Sequence, residues 1–102
     1  MIKVIVSYRN NKIIEIAATG HAGFADKGED LVCAGVSSII IGSANALYEM
    51  CAIEDIVISN KQSVLKSDGS EKANHILETT YYQLKTMEDQ YSKFIHIQTQ
   101  EV

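Results

Sequence analysis

Apolar and polar residues alternate from the beginning of the chain. Ile2, Val4, Val6 and Tyr8 fall on one side of an extended segment over residues 2–9, with Lys3, Ser7 and Arg9 on the other beside Ile5. A period of two predicts a strand with one buried face. Asn10-Asn11 is a turn signal, because Asn tolerates left-handed backbone angles. Residues 12–19 resume the pattern with Ile13, Ile14 and Ile16, so the two segments predict a hairpin. The alternation stops at Gly20. Residues 20–29 hold Gly20, Gly23 and Gly28 among Asp26, Lys27 and Glu29, which predicts a mobile surface loop. Phe24 is the aromatic inside it, either docked on the core or ready to contact a ligand.

From about Leu31 to Ile53 the chain is apolar nearly all round, the mark of a buried helix. That length spans a bilayer. Ser37, Ser38, Ser43, Asn45 and Glu49 interrupt it, and the small residues Ala34, Gly35, Gly42, Ala44 and Ala46 let neighbours approach closely, so the prediction is a central helix packed on both sides. Asp30 stands just ahead of it as an N-cap or first-turn carboxylate. Ile56-Val57-Ile58 and Val64-Leu65 read as two strands around Asn60-Lys61-Gln62. Asp68 with Glu71 resembles a capping box. It opens a second helix whose stripe is Ala73, Ile76, Leu77, Thr80, Tyr81, Leu84, Met87 and Tyr91. Phe94-Ile95-His96-Ile97 is a last strand. The order ββαββαβ predicts an α+β fold, two helices packed on a mixed or antiparallel sheet in a single small domain over residues 1–102.

Composition narrows the function. A chain of 102 residues supports one core. Its net charge of −4 provides no basic field for a nucleic-acid backbone, so no direct nucleic-acid binding is expected, while a basic partner is not repelled. The two cysteines, Cys33 and Cys51, form no CxxC pair, and the opening residues read as a strand rather than a leader. These features predict a reducing cytoplasm with both thiols reduced and no membrane association.

His21 and Cys33 lie twelve residues apart, at the two ends of the glycine-containing loop. The helix is expected to begin at Cys33. A thiol at a helix start is favoured as thiolate by unpaired N–H groups and the helix dipole. A nearby imidazole supplies proton transfers. The bland alternative is an inert core thiol, which describes Cys51 well, between Met50 and Ala52. His75 reads as a helix-flank residue, and His96, alternating with Ile95 and Ile97, faces away from the core. A zinc site built from His21, Asp30 and Cys33 lacks a ligand pair at the usual short spacing. A phosphate loop lacks both GxxxxGK[ST] and GxGxxG, and Asp26, Glu29 and Asp30 repel phosphate. No metal and no cofactor are expected.

The combined segment Gly20-His21-Ala22-Gly23, Gly28, Asp30-Leu31-Val32-Cys33-Ala34-Gly35-Val36-Ser37 resembles the signature of the ribosomal-processing cysteine protease family, Prp. The resemblance extends to chain length and element order. It implies a bacterial cytoplasmic endopeptidase, a homodimer, that removes the short N-terminal extension of a large-subunit ribosomal protein precursor and cuts after aromatic residues. It implies a Cys-His dyad with Cys33 as nucleophile and His21 as general base and acid. Gly20 fits the strand-end position of the motif and Ser37 its serine. Asp30 matches its aspartate, which orients His21, caps the helix or binds substrate. The loop 22–29, with Ala22, Gly23, Phe24 and Gly28, corresponds to the family's flap. Backbone N–H groups at the helix start, including that of Cys33, are the expected oxyanion donors. The competing expectation is a non-catalytic ribosome-associated binding module in which Cys33 is a packed thiol.

Overall fold

Asn10 and Asn11 both take left-handed backbone angles, φ 53° and 64°, and turn β1 (Ile2–Arg9) back onto β2 (Lys12–Thr19). Two consecutive residues at positive φ match the twist of a tight hairpin. The computed structural model describes residues 1–20, 27–59 and 61–102, with the backbone alone for 27–30. Beyond the hairpin come α1 (Lys27–Cys51), β3 (Val57–Ile58), β4 (Gln62–Lys66), α2 (Glu71–Gln90) and β5 (Ile95–Glu101). The expected ββαββαβ order is what the chain adopts.

The five strands form one mixed sheet in the order β3-β4-β2-β1-β5. All neighbours are antiparallel except β1 and β5, which run parallel. One residue of irregularity breaks the β1–β2 register between Ser7 and Tyr8: Ser7 pairs Glu15 while Tyr8 pairs Ile13. Ile14 is the extra residue, and the bulge re-phases the strand. Ile13 and Ile16 are therefore both buried although an odd number of residues apart.

Opposed pairs put Val4 beside Ala18, Val6 beside Ile16, Ile16 beside Leu65 and Ile2 beside Ile95. These residues are all buried, so they define one core face of the sheet. Both helices close that face. Along α1 the buried stripe is Val32, Val36, Ile40, Ser43, Ala44 and Leu47; along α2 it is Ala73, Asn74, Leu77, Thr80 and Leu84. Each fully buried Leu or Ile contributes about 1.5–3 kcal/mol, so this single cluster is the main hydrophobic support of the fold.

Four expectations need correcting. First, α1 begins at Lys27 rather than near Leu31 and ends at Cys51 rather than Ile53. Lys, Glu and Asp tolerate a first helical turn, and Gly28 lies where glycine interrupts little of the hydrogen-bond ladder. At the far end Ala52 takes φ 55° and stops the helix. Second, α1 is not packed on both sides. The helices share one sheet face, so among the described residues the far side of α1 meets no layer, and Leu31, Ile41 and Tyr48 are 59%, 47% and 53% exposed. By length and composition Leu31–Cys51 can cross a membrane, yet its buried stripe is the core of this domain. Third, the cap of α2 is Ser70, not Asp68. Ala73 N–H donates to Ser70 Oγ at 3.1 Å, while Ser70 N–H donates to Asp68 Oδ1 at 2.9 Å, so Asp68 makes the turn before the cap. Fourth, β5 continues to Glu101 rather than stopping at Ile97.

Candidate active site

Cys33 is the seventh residue of α1, half-buried and packed against the core cluster. Ser37, four residues on and also half-buried, stands one turn above it on the same side of the helix. The buried residues Val32 and Val36 flank this pair and anchor the segment on the sheet. Both cysteines are thiols, Cys33 in the second turn and Cys51 at the last residue of the helix.

The second-turn position changes the electrostatic argument. Only the first four N–H groups of a helix lack an intrahelical acceptor. With Lys27 as the first helical residue, these reach no further along α1 than Glu29. The N–H of Cys33 lies inside the ladder and is not one of the expected oxyanion donors. Cys33 stands about 9 Å along the axis from Lys27. The dipole acts chiefly within the first turn, so it favours a thiolate here less than at the helix start.

Gly20 ends β2 at φ 86°. A Cβ at this position would collide with the Met1 carbonyl oxygen and sit 3.8 Å from Ile2 Cα. Glycine is therefore required twice, by its backbone angle and by the close approach of the neighbouring strand. The residue that leaves the sheet toward position 21 is held against the start of β1.

His21, Ala22, Gly23 and Phe24 lie outside the described residues, as does most of the expected flap. Gly28 does not belong to a loop: it is the second residue of α1. Asp30 is helical in the first turn rather than ahead of the helix, and its side chain lies outside the described set. The zinc alternative involves His21 and the Asp30 side chain, so it too falls there.

The remaining imidazoles sit as their sequence positions suggest. His75 is exposed on α2, its Nε2 4.0 Å from Glu71 Oε1. His96 is exposed on β5, its Nδ1 3.7 Å from Glu88 Oε2. A groove of about 560 Å³ runs between α1 and α2, lined among others by Ile39, Gly42, Ala46, His75 and Ile76. Among the described residues, none of the expected site residues lines it. One neighbour of the Cys33 segment has no sequence signal: the end of the Met87 side chain on α2 lies against Gly35.

The cysteine protease Prp family matches residues 1–96. A ribosomal processing cysteine protease Prp of Bacillus subtilis is 28% identical over 109 residues, covering 97% of both chains. Its counterpart in Mycoplasma pneumoniae is 36% identical over 103 residues, covering 98% of this chain and 96% of its own. The crystal structure of the essential ribosomal processing protease Prp from S. aureus, in complex with a substrate peptide, superposes with a TM-score of 0.85 at 27% identity. That likeness covers 98% of this chain and 100% of the other. A glycine-bounded strand exit, a half-buried thiol one turn into the central helix, and a match over nearly the whole length place this chain in the Prp family of cysteine proteases, and it is a cysteine-type peptidase.

Proposed function

We propose that the protein is an endopeptidase that removes the short N-terminal extension of a large-subunit ribosomal protein, cutting after aromatic residues, with Cys33 as nucleophile and His21 as general base and acid. The family match over residues 1–96, together with the motif around these two positions, carries this reading. It sets aside the non-catalytic binding module. In the proposed reaction His21 takes the Cys33 proton and the thiolate attacks the scissile carbonyl. His21 then protonates the departing amine, and water hydrolyses the thioester. With Cys33 in the second turn, the imidazole rather than the helix dipole carries most of the work of ionising the thiol. Asp30 and Ser37 support the dyad or bind substrate.

The protein works in the cytoplasm as a homodimer. Supporting the dimer are Leu31, Ile41 and Tyr48, apolar residues exposed on the side of α1 that no other described layer covers. A monomer in sedimentation at low micromolar concentration rejects that part of the proposal alone.

The central test is cleavage of a peptide spanning the extension. Cys33→Ala and His21→Ala should each lower kcat by at least about a thousandfold. Iodoacetamide at neutral pH should label Cys33 well before Cys51. Full activity in Cys33→Ala rejects the assignment.

A further inference from the structure

Gly35 stands in the interior of α1, where glycine is the least favourable residue after proline. What occupies the space of its missing side chain is Met87 of α2. A Cβ at position 35 would lie 2.7 Å from Met87 Cε and 3.3 Å from Met87 Sδ. Met87 is itself half-buried and packed against the core cluster. Gly35 is two residues beyond Cys33, between the buried Val32 and Val36 and the first half of the helix. Farther along, Ser43 Oγ and Thr80 Oγ1 make a second contact between the same helices at 2.5 Å. As the residue number rises along α1 it falls along α2, so the helices run antiparallel, and these two contacts lie along their shared seam. The 35–87 contact lies within a turn of Cys33.

We infer that the Met87 methyl group seated against Gly35 is a positioning contact for Cys33. It sets how closely the early turns of α1 lie against α2, and so where the thiol stands when a scissile carbonyl is presented. Neither residue touches the reacting atoms. A glycine here lets the helices approach, and an unbranched thioether fills the notch without forcing a rotamer. The inference rests on the reading of Cys33 as nucleophile, and a displacement of well under a helix radius is enough to matter to a reaction that depends on near-attack geometry.

The test compares Gly35→Ala, Met87→Ala and the double variant on the extension peptide, with Cys33→Ala as control. Thermal melts and the pH profile of Cys33 alkylation are read alongside. Gly35→Ala is expected to lower kcat about tenfold with KM within about twofold, and to displace the alkylation profile. In the double variant the added methyl enters space the thioether has left, and kcat should recover severalfold over Gly35→Ala although the protein is no more stable. A purely structural role predicts otherwise: alanine raises the melting temperature, the end of Met87 swings aside, and kcat and the profile stay at wild-type values. That result, or no recovery in the double variant, overturns the inference. If Gly35→Ala does not fold, Met87→Ala decides: a severalfold lower kcat at unchanged KM supports the contact, and wild-type kcat overturns it. Activity retained in Cys33→Ala removes the nucleophile reading itself. Activity lost in Cys33→Ala but kept in Gly35→Ala removes only the positioning role.

Discussion

Glu88 on α2 holds Ile97 on β5: the Ile97 backbone N–H donates to Glu88 Oε2 at 2.6 Å, while Lys85 Nζ donates to Oε1 at 2.8 Å. The outward N–H of an edge strand is thereby capped by a side chain of the helix layer. Such a cap both fixes β5 and blunts an edge that is otherwise open to pairing with another chain.

Acid should loosen this tie. Burial pushes the Glu88 carboxyl up, but the hydrogen bonds from Lys85 and Ile97 and the nearby charges of Lys85 and His96 outweigh it and hold the group below its ordinary range. A carboxyl lowered in the folded state adds stability that is whole above the unfolded value, about pH 4.3, and is lost as pH falls through the folded value. Urea midpoints should therefore drop between about pH 5 and pH 3, and drop less in Glu88→Gln, which cannot ionise. Glu88→Ala, which strands the Ile97 N–H, should cost about 1–3 kcal/mol at neutral pH. Parallel pH curves for wild type and Glu88→Gln speak against the tie.

The hydroxyl pair between the helices makes a second, non-additive prediction. Thr80 Oγ1 donates its one proton to the Ile76 carbonyl at 2.7 Å, so Ser43 Oγ must donate to Thr80. Both side chains are buried. Thr80→Val leaves the Ser43 hydroxyl without its acceptor and should cost about 1–3 kcal/mol. Adding Ser43→Ala removes the orphaned donor. The double variant should therefore be destabilised by less than the sum of the singles in chemical denaturation. Strict additivity would show that the hydroxyls do not depend on one another.

At Gly20 two burdens can be separated. Its φ of 86° costs any ordinary residue about 1–2 kcal/mol, and the Met1 carbonyl excludes a Cβ regardless of angle. Gly20→Ala should destabilise by about 2 kcal/mol or more. Gly20→Asn, which tolerates the angle but still carries a Cβ, should rescue little of that. Full rescue by Asn would mean that the close approach to Met1 gives way at low cost.

How much of this was legible in the residues depends on the range of the interaction. Ile2, Val4 and Val6 with Asn10-Asn11 announce a hairpin because strand alternation and turn angles are local. The bulge at Ser7 and Tyr8 is hidden by Ile13, Ile14 and Ile16, three apolar neighbours that fit either phase. The start of α1 is ambiguous in the residues because Gly28 and the charged Lys27, Glu29 and Asp30 have the composition of a loop and also of a first helical turn. Asp68 and Ser70 are equally good caps by type, and what separates them is which N–H each side chain reaches. At the site, the motif around His21 and Cys33 could be read directly. The depth of Cys33 in the helix and the seat of Met87 on Gly35 could not, since the first depends on where the helix nucleates and the second joins different helices.

The pairing of β1 with β5 sets the order in which the molecule can be made. Ser7 and Gln100 share a hydrogen bond across 93 residues of sequence, and β1 runs parallel to β5 along its length. Until β5 has left the ribosome, β1 remains an edge with half its ladder open, and the helix layer has an incomplete sheet to settle on. A contact of such high order is slow to close and late to be rewarded. The thiol-bearing helix therefore gains its full sheet support only after β5, which follows it by more than forty residues, has been made and has paired with β1.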